Sequence, residues 1–71
     1  MAKVISSLTS GNVFKIEVKV GDALEPGTVV AILESMKMEI SIEAEEYGRV
    51  TELFIREGEP IPGNYPILAY E

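Results

Sequence analysis

Apolar residues in this chain recur at short spacings that are typical of β-strands. One run ends at Gly21-Asp22 and consists of Val13, Ile16, Val18 and Val20. A similar run ends at Gly58-Glu59 and consists of Val50, Leu53 and Ile55. A glycine followed by an acidic residue between apolar runs is typical of a tight turn in which the glycine has a positive φ. No window carries a convincing apolar stripe at the 3.6-residue period of a helix, so the pattern predicts an all-β protein.

The two halves of the chain resemble each other when residues 1–34 are laid over residues 38–71. The identical pairs are Met1/Met38, Ile5/Ile42, Gly11/Gly48, Val13/Val50, Gly21/Gly58 and Glu34/Glu71. The conservative pairs are Ile16/Leu53, Val18/Ile55, Lys19/Arg56, Asp22/Glu59, Leu24/Ile61 and Val30/Ile67. Glycine and apolar positions set the backbone geometry and the core, so this internal repeat predicts a pseudo-two-fold structure. We expect two small antiparallel sheets that form a flattened barrel or sandwich.

Two Pro-Gly pairs predict further turns. Pro26-Gly27 and Pro62-Gly63 each fit a type II turn, because proline presets its own φ and glycine accepts the positive φ that follows. The two pairs are displaced by one position relative to the repeat, so the turns need not superpose.

The segment from Val29 to Glu43 alternates apolar and polar residues without a turn signal. As one straight strand it would span about 50 Å, whereas a compact domain of this length is only about 30 Å across. The strand must therefore fold back. The halves of the repeat meet at residues 35–37, so we place a hairpin at Met36-Lys37. By the same symmetry, the two chain ends should lie together at the opposite end of the domain, which leaves Lys37 at a protruding tip.

Composition excludes several classes of function. The 71 residues predict a single domain, residues 1–71, and the repeat fills this chain from end to end as expected of a complete protein. The net charge of −6 argues against nucleic-acid binding. No apolar run is long enough to span a membrane, and no signal peptide is evident. The sequence contains no histidine and no cysteine, which removes the usual catalytic base and thiolate ligands. We expect a non-catalytic monomer in the cytoplasm.

Lys37 lies between Met36 and Met38 at the predicted tip, where large apolar side chains gain little burial. Residue types that break a local rule indicate function. A lysine amine can be acylated, but an unperturbed lysine is almost entirely protonated at pH 7. A partner enzyme must therefore remove the proton and deliver an activated acid, while the hairpin presents the amine.

The run Glu34-Ser35-Met36-Lys37-Met38-Glu39 resembles the attachment motif of biotinyl domains, usually written E-A-M-K-M. The resemblance extends over nearly the whole chain, and it looks closest to single-domain biotin/lipoyl attachment proteins of the biotin carboxyl carrier type. It implies two four-stranded sheets, with covalent biotin on Lys37 at the hairpin between the halves. Glu34, Ser35, Met36 and Met38 would serve recognition by a biotin protein ligase. A biotin carboxylase and a carboxyltransferase would be the other partners.

Some features depart from that family, and other functions stay open. Ser35 replaces the common alanine, and of the usual A-P-M-P-G stretch only Gly11 is kept. Nothing matches the extra loop that contacts biotin in some carriers. A lipoyl carrier or a dual biotin and lipoate acceptor is the main alternative, although lipoyl domains usually carry D-K-A. An unmodified SH3-like peptide-binding barrel would need an aromatic groove, and an enzyme would need a base.

Overall fold

A computed structural model describes residues 2–71, and within this range the chain forms eight β-strands and no helix. The strands are β1 (Lys3–Ser6), β2 (Gly11–Ile16), β3 (Ala23–Leu24), β4 (Val29–Ser35), β5 (Met38–Glu43), β6 (Gly48–Leu53), β7 (Pro60–Ile61) and β8 (Pro66–Tyr70). All pairings are antiparallel. The predicted all-β class is confirmed.

The strands form two four-stranded sheets, in the orders β1-β8-β6-β3 and β5-β4-β2-β7. The residue shift of the internal repeat brings β1 onto β5, β2 onto β6, β3 onto β7 and β4 onto β8. When each strand is exchanged for its repeat equivalent, the first strand order becomes the second. The pseudo-two-fold symmetry inferred from the sequence therefore describes the whole topology.

The core lies between the two sheets and contains apolar side chains from both halves. The fully buried large members are Leu33, Ile67, Leu68, Val13, Val30 and Val50. Because β4 is buried on both faces over much of its length, its sequence is almost continuously apolar. The longest dimension of the molecule is 33 Å, so the segment from Val29 to Glu43 does fold back, as its length required.

The two Gly-acidic turns have closely matching hydrogen bonds. The N–H of Gly21 donates to the carbonyl of Val50 at 2.8 Å, and that of Gly58 donates to the carbonyl of Val13 at 2.7 Å. Gly21 has a φ of 98° and Gly58 a φ of 89°. Within the first turn, the carboxylate of Asp22 accepts a hydrogen bond from the N–H of Lys19 at 3.0 Å. The equivalent bond in the second turn runs from Arg56 to Glu59. Both turn predictions are confirmed.

The strands before these turns end earlier than expected. β2 ends at Ile16 and β6 ends at Leu53, so Val18, Val20 and Ile55 lie in the turn segments. The register of β2 against β4 shifts between Val13 and Lys15, and that of β6 against β8 shifts between Val50 and Glu52. These bulges explain why the apolar positions change phase after Val13 and Val50, because an extra residue reverses the side-chain alternation.

The Pro62-Gly63 prediction is wrong, whereas Pro26-Gly27 is confirmed. Gly27 has a φ of 92°, and the N–H of Thr28 donates to the carbonyl of Glu25 at 3.0 Å, which closes the turn. In the second half, the positive φ of 60° belongs to Asn64, which is the repeat equivalent of Gly27. Asparagine tolerates this conformation better than most residues.

Ser7 distinguishes the closure of the second turn from that of the first. Its hydroxyl is fully buried; it donates to the carbonyl of Pro62 at 3.0 Å and accepts from the N–H of Tyr65 at 3.0 Å. The hydroxyl therefore takes the place of the direct backbone bond that closes the first turn. The equivalent residue in the other half is Ala44, which has no hydroxyl.

The strands nearest the two chain ends, β1 and β8, lie side by side in one sheet. Lys3 pairs with Tyr70, and Glu71 exchanges backbone hydrogen bonds with Arg49. The Lys3 amine also forms an ion pair with Glu46. The hydrogen bond from Lys3 is the main cause that lowers the pKa of Glu46, and burial is the main cause that raises the pKa of Tyr70.

Among residues 2–71, no helix is long and apolar enough to cross a membrane.

Candidate functional site

The hairpin between β4 and β5 has only two residues in its loop, Met36 and Lys37. Ser35 and Met38 form the last residue pair of the ladder before the loop. Met36 has a φ of 50° and Lys37 a φ of 66°. A two-residue hairpin loop of type I′ needs positive φ at both central positions, which is why Asn-Gly is preferred there. The structure therefore confirms the predicted bend at these two residues.

This loop conformation is costly for the residues that occupy it. A non-glycine residue in the left-handed region costs roughly 1–2 kcal/mol relative to the right-handed one. Met36 and Lys37 are two such residues in succession. Strained backbone of this kind is often found at functional sites, where the surrounding structure holds it in place. The strain is an observed outlier, and it points to the same residues that the sequence pattern indicated.

The side chains of the hairpin are directed to solvent. Met36 is 91% exposed and Met38 is 60% exposed, although methionine is usually a core residue. Lys37 and Glu34 are also exposed, and Ser35 is half-buried. The structure thus brings together all five residues that the sequence indicated for this site. Four of these five side chains are exposed, so the hairpin presents its lysine to solvent.

Two features lie directly below the tip of the hairpin. An added Cβ on Gly11 would lie 3.0 Å from the backbone oxygen of Glu34, so a larger residue would force β2 and β4 to shift slightly apart. Glu34 pairs directly with Glu39 across the ladder. Like charges at directly opposed positions destabilise a sheet. The two carboxylates also concentrate negative charge beneath the lysine. Gly11 and Gly48 are an identical pair in the internal repeat. That identity was the sequence signal for tight backbone packing at this position, but it was not interpreted in this way from the sequence.

The other lysines have different surroundings. Lys3 is bonded to Glu46, and the Lys15 amine lies 3.7 Å from a carboxylate oxygen of Glu17. The backbone N–H of Lys19 is part of the turn at Gly21. Among the described residues, Lys37 makes no ion pair. Among residues 2–71, Lys37 is the lysine that lies in a two-residue hairpin loop with an exposed methionine on each side.

The chemistry available at this site is that of a presented amine. No cluster of acidic side chains within residues 2–71 could hold a metal ion. The sequence has no histidine to act as a base. The hairpin can thus offer its lysine to the active site of another protein. The two exposed methionines and the opposed glutamates below them can contact that protein. Fold and site together define a small all-β domain of the attachment class, built to present one lysine on a hairpin.

Comparison with known proteins assigns this domain to a family. The chain belongs to the family described as "Biotin-requiring enzyme", whose profile matches residues 1–69. It is 51% identical over 55 residues to the biotin/lipoyl attachment protein of Bacillus subtilis, across 78% of this chain and 75% of that protein. It is a biotin/lipoyl attachment domain, as the sequence resemblance implied.

Other relatives are longer proteins of which the domain is a part. The chain is 41% identical over 51 residues to the biotin carboxyl carrier protein of acetyl-CoA carboxylase from Nostoc, across 72% of this chain and 28% of that protein. It is 37% identical over 62 residues to a dihydrolipoyllysine-residue acetyltransferase component of the Bacillus subtilis acetoin cleaving system, across 87% of this chain and 16% of that protein. Relatives of both cofactor types therefore share this domain.

The fold is also that of a solved carboxylase domain. The crystal structure of the Kluyveromyces lactis urea carboxylase superposes with a TM-score of 0.92 and 27% identity, across the whole of this chain and 6% of that chain. The expectation of two four-stranded antiparallel sheets is thus met both by the strand pairing and by a solved relative.

Proposed function

We propose that this protein is a biotin carboxyl carrier and that Lys37 is its attachment site. The observation that carries the proposal is the strained two-residue loop, in which Met36 and Lys37 both adopt positive φ. A turn selected for stability alone would have asparagine and glycine here. The two methionines that flank the lysine match the motif of biotinyl domains, and the relative from Nostoc is a biotin carboxyl carrier protein by name.

The attachment step forms an amide on the lysine side chain. In this proposal a biotin protein ligase binds the hairpin, removes a proton from the Lys37 Nζ and presents biotinyl adenylate. The Nζ lone pair attacks the acyl carbon, the bond from that carbon to the phosphate oxygen breaks, AMP leaves, and the nitrogen releases a second proton to solvent to become the neutral amide. The product has lost one positive charge, so the formal net charge changes from −6 to −7. Glu34, Ser35, Met36 and Met38 contact the ligase.

The hairpin residues also suit the carrier role after attachment. When attached, biotin supplies a ring that accepts a carboxyl group in one active site and releases it in another. The exposed two-residue tip lets a side chain on Lys37 enter a deep active site, because Lys37 and both flanking methionines are exposed. The partners in this scheme are a biotin carboxylase and a carboxyltransferase, and we place the protein in the cytoplasm.

Mass spectrometry of protein from cells that contain a biotin ligase tests the proposal. We expect the intact mass to rise by one biotinyl group, and peptide mapping to place that group on Lys37. The variant Lys37→Arg keeps the charge but should carry no biotin. As a matched control, Lys15→Arg should be biotinylated like the unsubstituted protein. A biotinyl group on any other lysine, with Lys37 unmodified, would contradict the proposal.

Lipoylation is the second candidate, because the Bacillus subtilis relative is named for both cofactors and another relative is a dihydrolipoyllysine protein. The methionine pair favours biotin, since lipoyl domains usually carry D-K-A. The double variant Met36→Asp/Met38→Ala tests this discrimination. We expect biotinylation by the ligase to fall and lipoylation by a lipoate ligase to appear or rise. Unchanged biotinylation would show that the ligase reads only the position of the hairpin.

A further inference from the structure

A surface groove runs between β1 and β5, and its lining does not include the loop residues Met36 and Lys37. It has a volume of about 410 Å³. Its apolar lining comes from Val4, Ile5, Leu8, Ile40, Ile42 and Tyr70. β1 and β5 are the outer strands of the two sheets, and each has one hydrogen-bonded neighbour. The groove therefore lies where the two sheets approach each other without a ladder between them.

The groove lies on the pseudo-two-fold axis, and its two ends differ chemically. The repeat relates Val4 to Ser41 and Ile5 to Ile42 across the groove. The symmetry fails at the ends, where Leu8 corresponds to Glu45 and Thr9 corresponds to Glu46. One end is thus apolar and the other acidic. The side chains at these two pairs of positions have diverged, although the strand topology around them keeps its symmetry.

Two apolar side chains of the groove are largely exposed, and the fold does not need an apolar residue at such exposed positions. Leu8 is 92% exposed and Val4 is 52% exposed. Leu8 contributes almost nothing to the core, and a polar residue in this connection between β1 and β2 would cost no burial. Exposed apolar residues beside a concave surface are typical of interaction sites.

The charges around the groove restrict what can occupy it. Glu43, Glu45 and Glu46 lie along one part of the rim. Lys3 is bonded to Glu46, whereas Glu43 and Glu45 make no ion pair within residues 2–71. A second copy of this chain would bring a net charge of −6 and the same acidic rim. Nucleic acid and anionic membranes are repelled for the same reason. The complementary occupant is basic.

We propose that the groove between β1 and β5 binds an extended segment of a partner protein, in which a large apolar side chain lies close to lysine or arginine. The apolar side chain packs against Leu8, Val4 and Ile40, and the basic side chains face Glu43 and Glu45. Alternating side chains of an extended segment can meet both kinds of surface along one groove. This site is independent of the proposed function, because it does not require Lys37 to be modified.

Two short synthetic peptides test the proposal by amide chemical-shift perturbation on the Lys37→Arg protein, which cannot be modified. The first peptide alternates leucine and lysine, and the second replaces each lysine by glutamate. We expect the basic peptide to shift the amides of Val4, Ile5, Leu8, Ile40 and Ile42, and the acidic peptide to shift none of them. Raising the salt concentration should weaken the binding of the basic peptide, because screening reduces the attraction of exposed charges.

Matched variants separate a built groove from general attraction to an acidic protein. Leu8→Ser and Glu45→Lys should each weaken the binding of the basic peptide by at least fivefold. Val20→Ser replaces another exposed apolar residue, and Glu25→Lys replaces another exposed carboxylate, both outside the groove. Val20→Ser should leave the affinity unchanged, and Glu25→Lys should reduce it less than Glu45→Lys does. Shifts outside the groove, equal binding of the acidic peptide, or equal effects of the paired variants would overturn the proposal, whatever the outcome for Lys37.

Discussion

Gly21 and Gly58 occupy symmetry-related turns, and their side-chain positions are open to solvent. No heavy atom lies within 4 Å of a Cβ added at either residue, so the only obstacle to a larger residue is the positive φ. Gly63 provides a matched control, because it has no positive φ and its nearest neighbour to an added Cβ is at an ordinary 3.7 Å.

We expect Gly21→Ala and Gly58→Ala each to destabilise the protein by about 1 kcal/mol, because alanine is strained at positive φ. Gly63→Ala should stay within about 0.5 kcal/mol of the unsubstituted protein. Chemical denaturation of the three variants measures these differences. Equal stability of all three would show that backbone conformation does not determine the choice of glycine.

Ser7 has a structural role that its type and position did not reveal. Its hydroxyl satisfies two backbone groups, the carbonyl of Pro62 and the N–H of Tyr65. We expect Ser7→Ala to destabilise the fold by about 1–3 kcal/mol, because both groups lose a partner. Ser6→Ala, next to it but exposed, should change the stability by less than about 0.5 kcal/mol. A similar, small effect of both variants in thermal denaturation would mean that water replaces the hydroxyl.

The prediction at Pro62-Gly63 failed because the turn lies one residue later, at the position that the repeat assigns to it. The local dipeptide fits a type II turn, but the turn is positioned by backbone bonds to a residue far away in the sequence: the N–H of Asn64 donates to the carbonyl of Ser7, just as the N–H of Gly27 donates to that of Ala44. Asn64 then takes the positive φ that the repeat assigns to the position of Gly27. Alignment of the two halves contained this information, because it paired Asn64 with Gly27 and not Gly63 with it. Local turn rules could not contain it.

At the scale of elements, the sequence predicted where the hairpin between β4 and β5 lies. It did not predict that both loop residues, Met36 and Lys37, would have positive φ. The hairpin was predictable because a strand of that length cannot fit the domain, and because the repeat has its boundary there. The groove between β1 and β5 was not predictable. It depends on which strands end up at the sheet edges, and a sequence pattern does not show which edges face each other.

The loop makes a prediction that separates backbone strain from side-chain function. Lys37→Gly should stabilise the protein by about 1 kcal/mol, because glycine adopts the positive φ of 66° without strain. Lys37→Ala should change the stability by less than about 0.5 kcal/mol, since alanine keeps the strain and the exposed lysine side chain packs on nothing. Both variants should lose modification. A large loss of stability in Lys37→Ala, measured by thermal denaturation, would show that the lysine side chain is packed.

At the scale of the whole molecule, the strand topology is symmetric, whereas the function of the two symmetry-related ends and the surface charge are separate matters. The topology is pseudo-symmetric, but the two symmetry-related hairpin positions are not equivalent. One is the closed loop at Met36 and Lys37, and the other is the site where the strands at the two chain ends, β1 and β8, pair. The net charge of −6 is spread over a surface with few basic residues. A partner approaching the Lys37 hairpin therefore meets an attractive field only if its own surface is basic.

The last prediction concerns this field in the proposed carrier cycle. We expect the 71-residue chain, tested as a free protein in solution, to serve as a diffusing substrate of a biotin carboxylase. A tethered carrier has an effective concentration in the millimolar range, whereas a free carrier depends on its own concentration and on weak docking. Carboxylase turnover should therefore rise with carrier concentration and saturate only at micromolar or higher levels, the usual range of KM values.

A titration of biotinylated protein against a fixed amount of carboxylase, at two salt concentrations, measures both parts of this prediction. Added salt should lower the rate at limiting carrier concentration, because ions screen long-range steering. The double variant Glu34→Gln/Glu39→Gln should start with a lower rate and depend less on salt, while Glu25→Gln, remote from the hairpin in sequence, should depend on salt more nearly as the unsubstituted protein does. Saturation at a one-to-one ratio in the nanomolar range would instead identify a tightly bound subunit. That outcome would reject free diffusion, and it would leave the attachment of biotin to Lys37 to be decided by its own mass measurement.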